Sequence, residues 1–103
     1  MIHLTNENFR RETELAEQPV LIDFYQDNCA PCRSMEPIFD KLEAVYGERY
    51  KFCKANVGEQ DGLAQQFDIL SVPTVIMMFD GEILHRVTGL RSEEELCNIL
   101  NLS

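Results

Sequence analysis

Two thiols three positions apart, in Cys29-Ala30-Pro31-Cys32, are the residues of this chain best placed to do chemistry. They follow the apolar run Val20-Leu21-Ile22-Asp23-Phe24-Tyr25 and precede an amphipathic helical pattern. A cysteine that opens a helix sets its sulfur beside unpaired backbone N–H groups and the positive end of the helix dipole. Both favour the thiolate, which is the form of cysteine that attacks a disulfide. Cys32, one turn deeper, is within reach of any mixed disulfide that Cys29 forms. Pro31 suits the first helical turn, where no N–H is required of it. Spacing alone also fits half of a zinc site; the position between a buried strand and a helix is what reads as a redox pair.

Other reactive side chains are sorted by their neighbours. Asp23 lies inside an apolar strand, where burial disfavours the charged carboxylate and should raise its pKa. Lys54 alternates with Phe52 and Asn56, which puts the three on one side of a strand. Arg33 and Asp27 flank the cysteine pair with opposite charges. Cys53 and Cys97 have no second cysteine at metal-ligand spacing and read as small buried hydrophobes. His3 and His85 read as surface or strand-edge residues, so no metal site is expected. The run Glu93-Glu94-Glu95 falls in a first helical turn, where negative charge is stabilised without any ligand.

With 103 residues the chain is expected to form one domain, 1–103, able to bury a single core. Its 18 acidic and 9 basic residues leave a net charge of −9. Nucleic acid and anionic membranes are therefore poor partners, since phosphate recognition needs clustered Lys and Arg. An apolar fraction of 45% argues for a globular chain rather than a disordered one. No stretch approaches the roughly 18 apolar residues of a membrane span. The start Met1-Ile2-His3-Leu4-Thr5-Asn6 lacks signal-peptide character, and four irregularly spaced cysteines are too few for a stapled secreted scaffold. A cytoplasmic location is expected.

The elements that must position these residues are legible from period and punctuation. Residues 2–5 predict a short strand, and Thr5 or Asn6 caps a first helix to about residue 12 with Phe9 inward. Residues 20–25 predict a strand covered on both faces. A helix over 29–46 places Met35, Ile38, Phe39, Leu42 and Tyr46 on one face, with Pro37 inside it and Gly47 as a left-handed cap. Strand 50–57 and a helix over 61–67 follow. Ser71-Val72-Pro73-Thr74 leads into a central strand through Phe79, and Asp80-Gly81 turns it into an antiparallel strand over 82–88. Ser92 and Glu95 form a capping box opening a last helix that buries Leu96, Ile99 and Leu100. Strands joined early through helices should be parallel and the last hairpin antiparallel, giving an α/β fold with a mixed central sheet and helices on both faces.

Taken in order, these features resemble the thioredoxin family over nearly the whole chain. Val20-Leu21-Ile22-Asp23-Phe24 looks like its strand with a buried acid, and Cys29-Ala30-Pro31-Cys32 follows where its active site belongs. Pro37, Val72-Pro73-Thr74, Phe79-Asp80-Gly81-Glu82 and Gly89 match its kinked helix, cis-proline segment, hairpin and late glycine. The resemblance implies a three-layer thioredoxin-like sandwich and a thiol–disulfide oxidoreductase that reduces protein disulfides and needs no bound cofactor. It makes Cys29 the nucleophile and Cys32 the resolving thiol, the two forming the redox-active disulfide. Asp23 would take the Cys32 proton, with Lys54 as its partner. The backbone of Val72, before a cis Pro73, would bind an extended substrate. A flavoprotein reductase drawing on NADPH is the implied electron donor, with glutathione or another dithiol as other sources.

Three departures set this chain apart, one of them Tyr25, which stands where the family commonly carries a Trp. Asn28 stands where the family has Trp before the first cysteine, and Ala30 where it has Gly; the chain contains no Trp at all. Residues between the cysteines and the local field set thiolate stability and reduction potential, so reductase partner and redox poise are where divergence is expected. The alternative function is a protein-binding module or chaperone-like adaptor that retained the fold with little redox turnover.

Overall fold

In the computed structural model, which describes residues 1–103, the apolar run of the sequence lies at the centre: Val20, Leu21, Ile22 and Phe24 have no exposed surface. Along the chain come β1 (Ile2–His3), a π-helical segment (Arg10–Glu14), β2 (Val20–Tyr25), α1 (Ala30–Tyr46) and β3 (Lys51–Asn56). Then follow α2 (Asp61–Gln66), β4 (Thr74–Phe79), β5 (Glu82–Thr88) and α3 (Glu93–Ile99). The strands form one sheet in the order β1-β3-β2-β4-β5. Both β1 and β2 run parallel to β3, as expected of strands linked through helices. The β4–β5 hairpin is antiparallel as expected, but β4, although joined to β3 through α2, enters antiparallel to β2 and so departs from the expectation that helix-linked strands are parallel.

Strand periodicity divides the interior in two. Val20, Ile22 and Phe24 face a core closed by Phe9, Leu63 and Phe67. Leu21, Val75 and Met77 face the other, closed by Met35, Phe39 and Leu42 of α1, by Leu96 of α3 and by Leu100 at its C-cap. Phe67 packs against Phe9 and Phe24 with ring centroids 5.5 and 5.4 Å apart, and Phe39 meets Phe52 at 5.1 Å. The result is the expected three-layer, mixed-sheet α/β fold of the thioredoxin type. No helix is long and apolar enough to cross a membrane.

Punctuation works where the side chains can satisfy open backbone groups. Ser92 Oγ accepts the Glu95 N–H at 3.1 Å while Glu95 Oε1 accepts the Ser92 N–H at 3.1 Å, completing the capping box. Asp80 and Gly81 both take positive φ, 52° and 80°, the twist that suits a two-residue hairpin. Three further expectations are corrected. The first helical segment starts as a turn and continues as a π-helix to Glu14, with Leu15 N–H donating to Arg10 O at 3.1 Å. Buried Thr13 donates its hydroxyl to Phe9 O at 2.7 Å and so competes for a carbonyl that an α-helical N–H would use.

Gly47 is right-handed (φ −63°, ψ −16°) rather than left-handed. What the glycine provides is room, since a Cβ there would stand 2.6 Å from Glu43 O. Ile99 is exposed, not buried. Leu96, Cys97 and Leu100 define the inward arc of α3, and a 100° step per residue carries Ile99 outside it. Accordingly Leu96→Ala should cost about 2–5 kcal/mol in urea melts, whereas Ile99→Gln should stay within about 0.5 kcal/mol of wild type. Equal losses at both positions would contradict this packing of α3.

Candidate active site

The sheet ends where the cysteines begin. After β2 the chain turns through Gln26, Asp27 and Asn28, and Asn28 adopts φ 57°, a left-handed conformation that Asn enters more readily than most residues. Asn56 Nδ2 donates to Asp27 Oδ1 at 3.3 Å, fastening this loop to the end of β3. Cys29 is then extended (φ −117°, ψ 104°) and is the N-cap of α1. Its sulfur accepts the Cys32 N–H at 3.2 Å, the position that a Ser or Asp oxygen fills at an ordinary N-cap. The sulfur thus faces the open amides and positive pole of a 17-residue helix.

Cys29 and Cys32 are joined as a disulfide, with Cα atoms 5.2 Å apart, so this is the oxidised form. Their exposure differs: Cys29 is half-buried, and Cys32 retains 5% of its surface. The loop before β4 closes the other side. Val72–Pro73 is a cis peptide, as the resemblance implied, and Val72 O lies 4.0 Å from Cys29 Sγ. Gly89 N–H donates to Pro73 O at 2.8 Å and Thr74 Oγ1 to Ser71 O at 2.8 Å, which hold this segment in place.

Behind the pair, a cavity of about 170 Å³ brings together Asp23, Cys32, Glu36 and Lys54. Asp23 is 4% exposed and its Oδ1 has no hydrogen-bond partner. Burial is the main cause that pushes its carboxyl up to about 7; Lys54 pulls the other way, while Glu36 and Asp40 add to the rise. Lys54 is the cross-strand register partner of Asp23, on the side expected, but forms no ion pair with it. Its ammonium sits 5.2 Å from the centre of the Tyr25 ring. Pro31 occupies the first turn of α1.

Remaining candidates stay apart from this site. Cys53 is fully buried on β3, and burial pushes its thiol up to about 12, which leaves it a poor nucleophile. Cys97 lies on α3 with its sulfur 3.8 Å from Tyr46 Oη. His3 is exposed and His85 sits on the edge strand β5. Glu93 pairs with Lys41 at 3.2 Å and Glu95 completes its cap. Sequence reasoning passed over Glu36 and Asp40. The signal was present, because Glu36 falls four residues after Cys32 and so on the same face of α1.

The family model described as Thioredoxin matches residues 1–102 of this chain. The chain belongs to the thioredoxin family. It is 34% identical over 98 residues to a protein named Thioredoxin from Listeria monocytogenes, spanning 95% of this chain and 93% of that one. The Thioredoxin of Bacillus subtilis is 30% identical over 101 residues, spanning 98% and 95%. Over 85 residues the chloroplastic M-type thioredoxin of Triticum aestivum is 38% identical, spanning 82% of this chain and 49% of its own. With its Cys29–Cys32 pair, this family member is a thiol–disulfide oxidoreductase acting on disulfide-containing substrates.

The raised carboxyl has a consequence for stability. An acid whose folded-state pKa lies above its unfolded value of about 3.9 destabilises the fold once pH rises past that value. The cost grows until about pH 7, where folded Asp23 is itself half ionised, and is level above that. Asp23→Asn should therefore stabilise the protein at pH 8, by about 2 kcal/mol or more, with the gain vanishing near pH 4. Denaturant melts across this range check it; a variant less stable at pH 8 would contradict it.

Proposed function

We propose that Cys29 is the attacking thiol and Cys32 the resolving thiol of this oxidoreductase. The observation that carries the reading is the cap: the sulfur of Cys29 accepts a helix N-terminal N–H and is the more exposed of the two. Reduced Cys29, as thiolate, attacks one sulfur of a target disulfide. A Cys29–target bond forms, and the other target sulfur leaves as a thiolate and takes up a proton. Cys32 then loses its proton to the Asp23 carboxylate and attacks the Cys29 sulfur. The intramolecular disulfide forms, the second target sulfur leaves, and two electrons have passed from the dithiol to the target.

Asp23 suits the proton transfer by its burial beside Cys32 and its titration near neutrality. Lys54 supports it from the neighbouring strand, and Pro31 supports the turn between the cysteines. Val72 takes part in none of the backbone hydrogen bonds outside the regular elements, which leaves its N–H and C=O for an extended target segment beside Pro73. The whole of 1–103 works as one domain, carrying electrons in a reducing cytoplasm from a flavoprotein reductase that draws on NADPH. Asn28 in place of the family's Trp, together with Ala30, alters the surface such a reductase meets.

Cys29→Ser should abolish reduction of insulin driven by dithiothreitol, while Cys53→Ser and Cys97→Ser keep it. Cys32→Ser should instead accumulate a covalent complex with a target, visible by mass spectrometry and released by excess reductant. Full activity in Cys29→Ser would return the nucleophile to another cysteine. If Cys29 reacts freely but no adduct outlives the loss of Cys32, the resolving role is wrong.

A further inference from the structure

We propose that Glu36 is a positioning residue for the resolving step, its carboxylate governing, across the cavity it shares with Asp23 and Cys32, when Asp23 can exchange a proton with Cys32. This rests on the assignment of Asp23 as proton acceptor and adds to it the group that adjusts the acceptor. Glu36 lies one helical turn beyond Cys32 on α1 and lines the cavity about 170 Å³ in volume. The chain's four ion pairs join Met1 to Glu43, Arg10 to Glu14, Lys41 to Glu93 and Lys51 to Glu12, so no cation is held against Glu36. Its charge therefore acts on Asp23 without a bound counterion. The side chain is exposed, and this gives the cavity an acidic wall in contact with solvent.

Charged groups act on Asp23 from β3 and α1, whereas β4, which sets Val75 opposite it, brings none. Lys54 stands on β3, and Glu36 and Asp40 on α1. Tyr25, Asp27 and Arg33 also border the cavity, from the end of β2, the loop and the start of α1. Lys54 favours the ionised acid; Glu36 and Asp40 disfavour it. Asp40, a turn further along, does not line the cavity, so Glu36 is the nearer of the two anions to the shared space. A carboxylate here keeps Asp23 able both to accept a proton and to return it near neutral pH. An uncharged residue would leave Asp23 ionised at lower pH and a weaker base.

Two readouts test this. One is titration of the Asp23 carboxyl by carbon NMR in the oxidised protein. The other is the pH profile of resolution, read as release of thionitrobenzoate from a preformed Cys29 mixed disulfide. Glu36→Gln should move both the Asp23 midpoint and the acid limb of release downward by about half a pH unit. Glu36→Asp should stay close to wild type, and Asp40→Asn should move both by less than Glu36→Gln. In an Asp23→Asn background, Glu36→Gln should leave the release profile where it is. An Asp23 midpoint unmoved by Glu36→Gln overturns the proposal for Glu36, and leaves the Asp23 reading standing if Asp23→Asn still slows release. A midpoint that falls while the release profile stays fixed overturns the role of Asp23 itself, and this proposal with it.

Discussion

The molecule depends on one strand being satisfied on every side. β2 pairs with β3 along one edge and β4 along the other, and both its faces lie under apolar cores. Such a strand cannot slip in register, since a shift of one residue would exchange the side chains of the two cores. Its last residue is therefore fixed in space, and so is the start of the three-residue approach, Gln26 to Asn28, that leads to Cys29. Asp23 is carried into the interior by the same constraint. It occupies a position on the α1 face where its neighbours in alternation, Leu21 and Tyr25, have a buried and a half-buried side chain.

A buried acid beside a cysteine pair is held between opposing influences. Burial raises Asp23, Lys54 lowers it, and the carboxylates of α1 raise it again. Burial is the strongest of these influences, which is why the group ends near neutrality rather than in the usual carboxylate range. An acid that titrates there can move a proton in either direction at little cost. The stability lost to it is confined to one residue in a fold otherwise closed by aromatic and aliphatic packing.

At the cysteines themselves the chemistry and the architecture share a bond. The N–H of Cys32 that Cys29 accepts is one a capping oxygen would take in an ordinary helix. Capping α1 and stabilising negative charge on the sulfur are thus the same interaction. Asn28 is left-handed ahead of the cap, and Asn56 secures the loop by donating to Asp27.

Much of this was legible in residue order because it rests on local physics. The run 20–25, the Asp80-Gly81 turn and the Ser92–Glu95 box each state their structure within a few residues, and each formed as read. Cys29 at a helix start and Asp23 inside a strand follow from the same local patterns. Where longer-range packing decides, the sequence is silent or misleading. The first helix is a π-helix in which buried Thr13 turns its hydroxyl on Phe9 O, and Gly47 gives room beside Glu43 O rather than a positive φ. That β4 lies antiparallel against β2, that Ile99 faces outward, and that Glu36 shares a cavity with Asp23 are settled only when the layers close. Periodicity assigns a side chain to a face; the tertiary structure alone determines what that face meets.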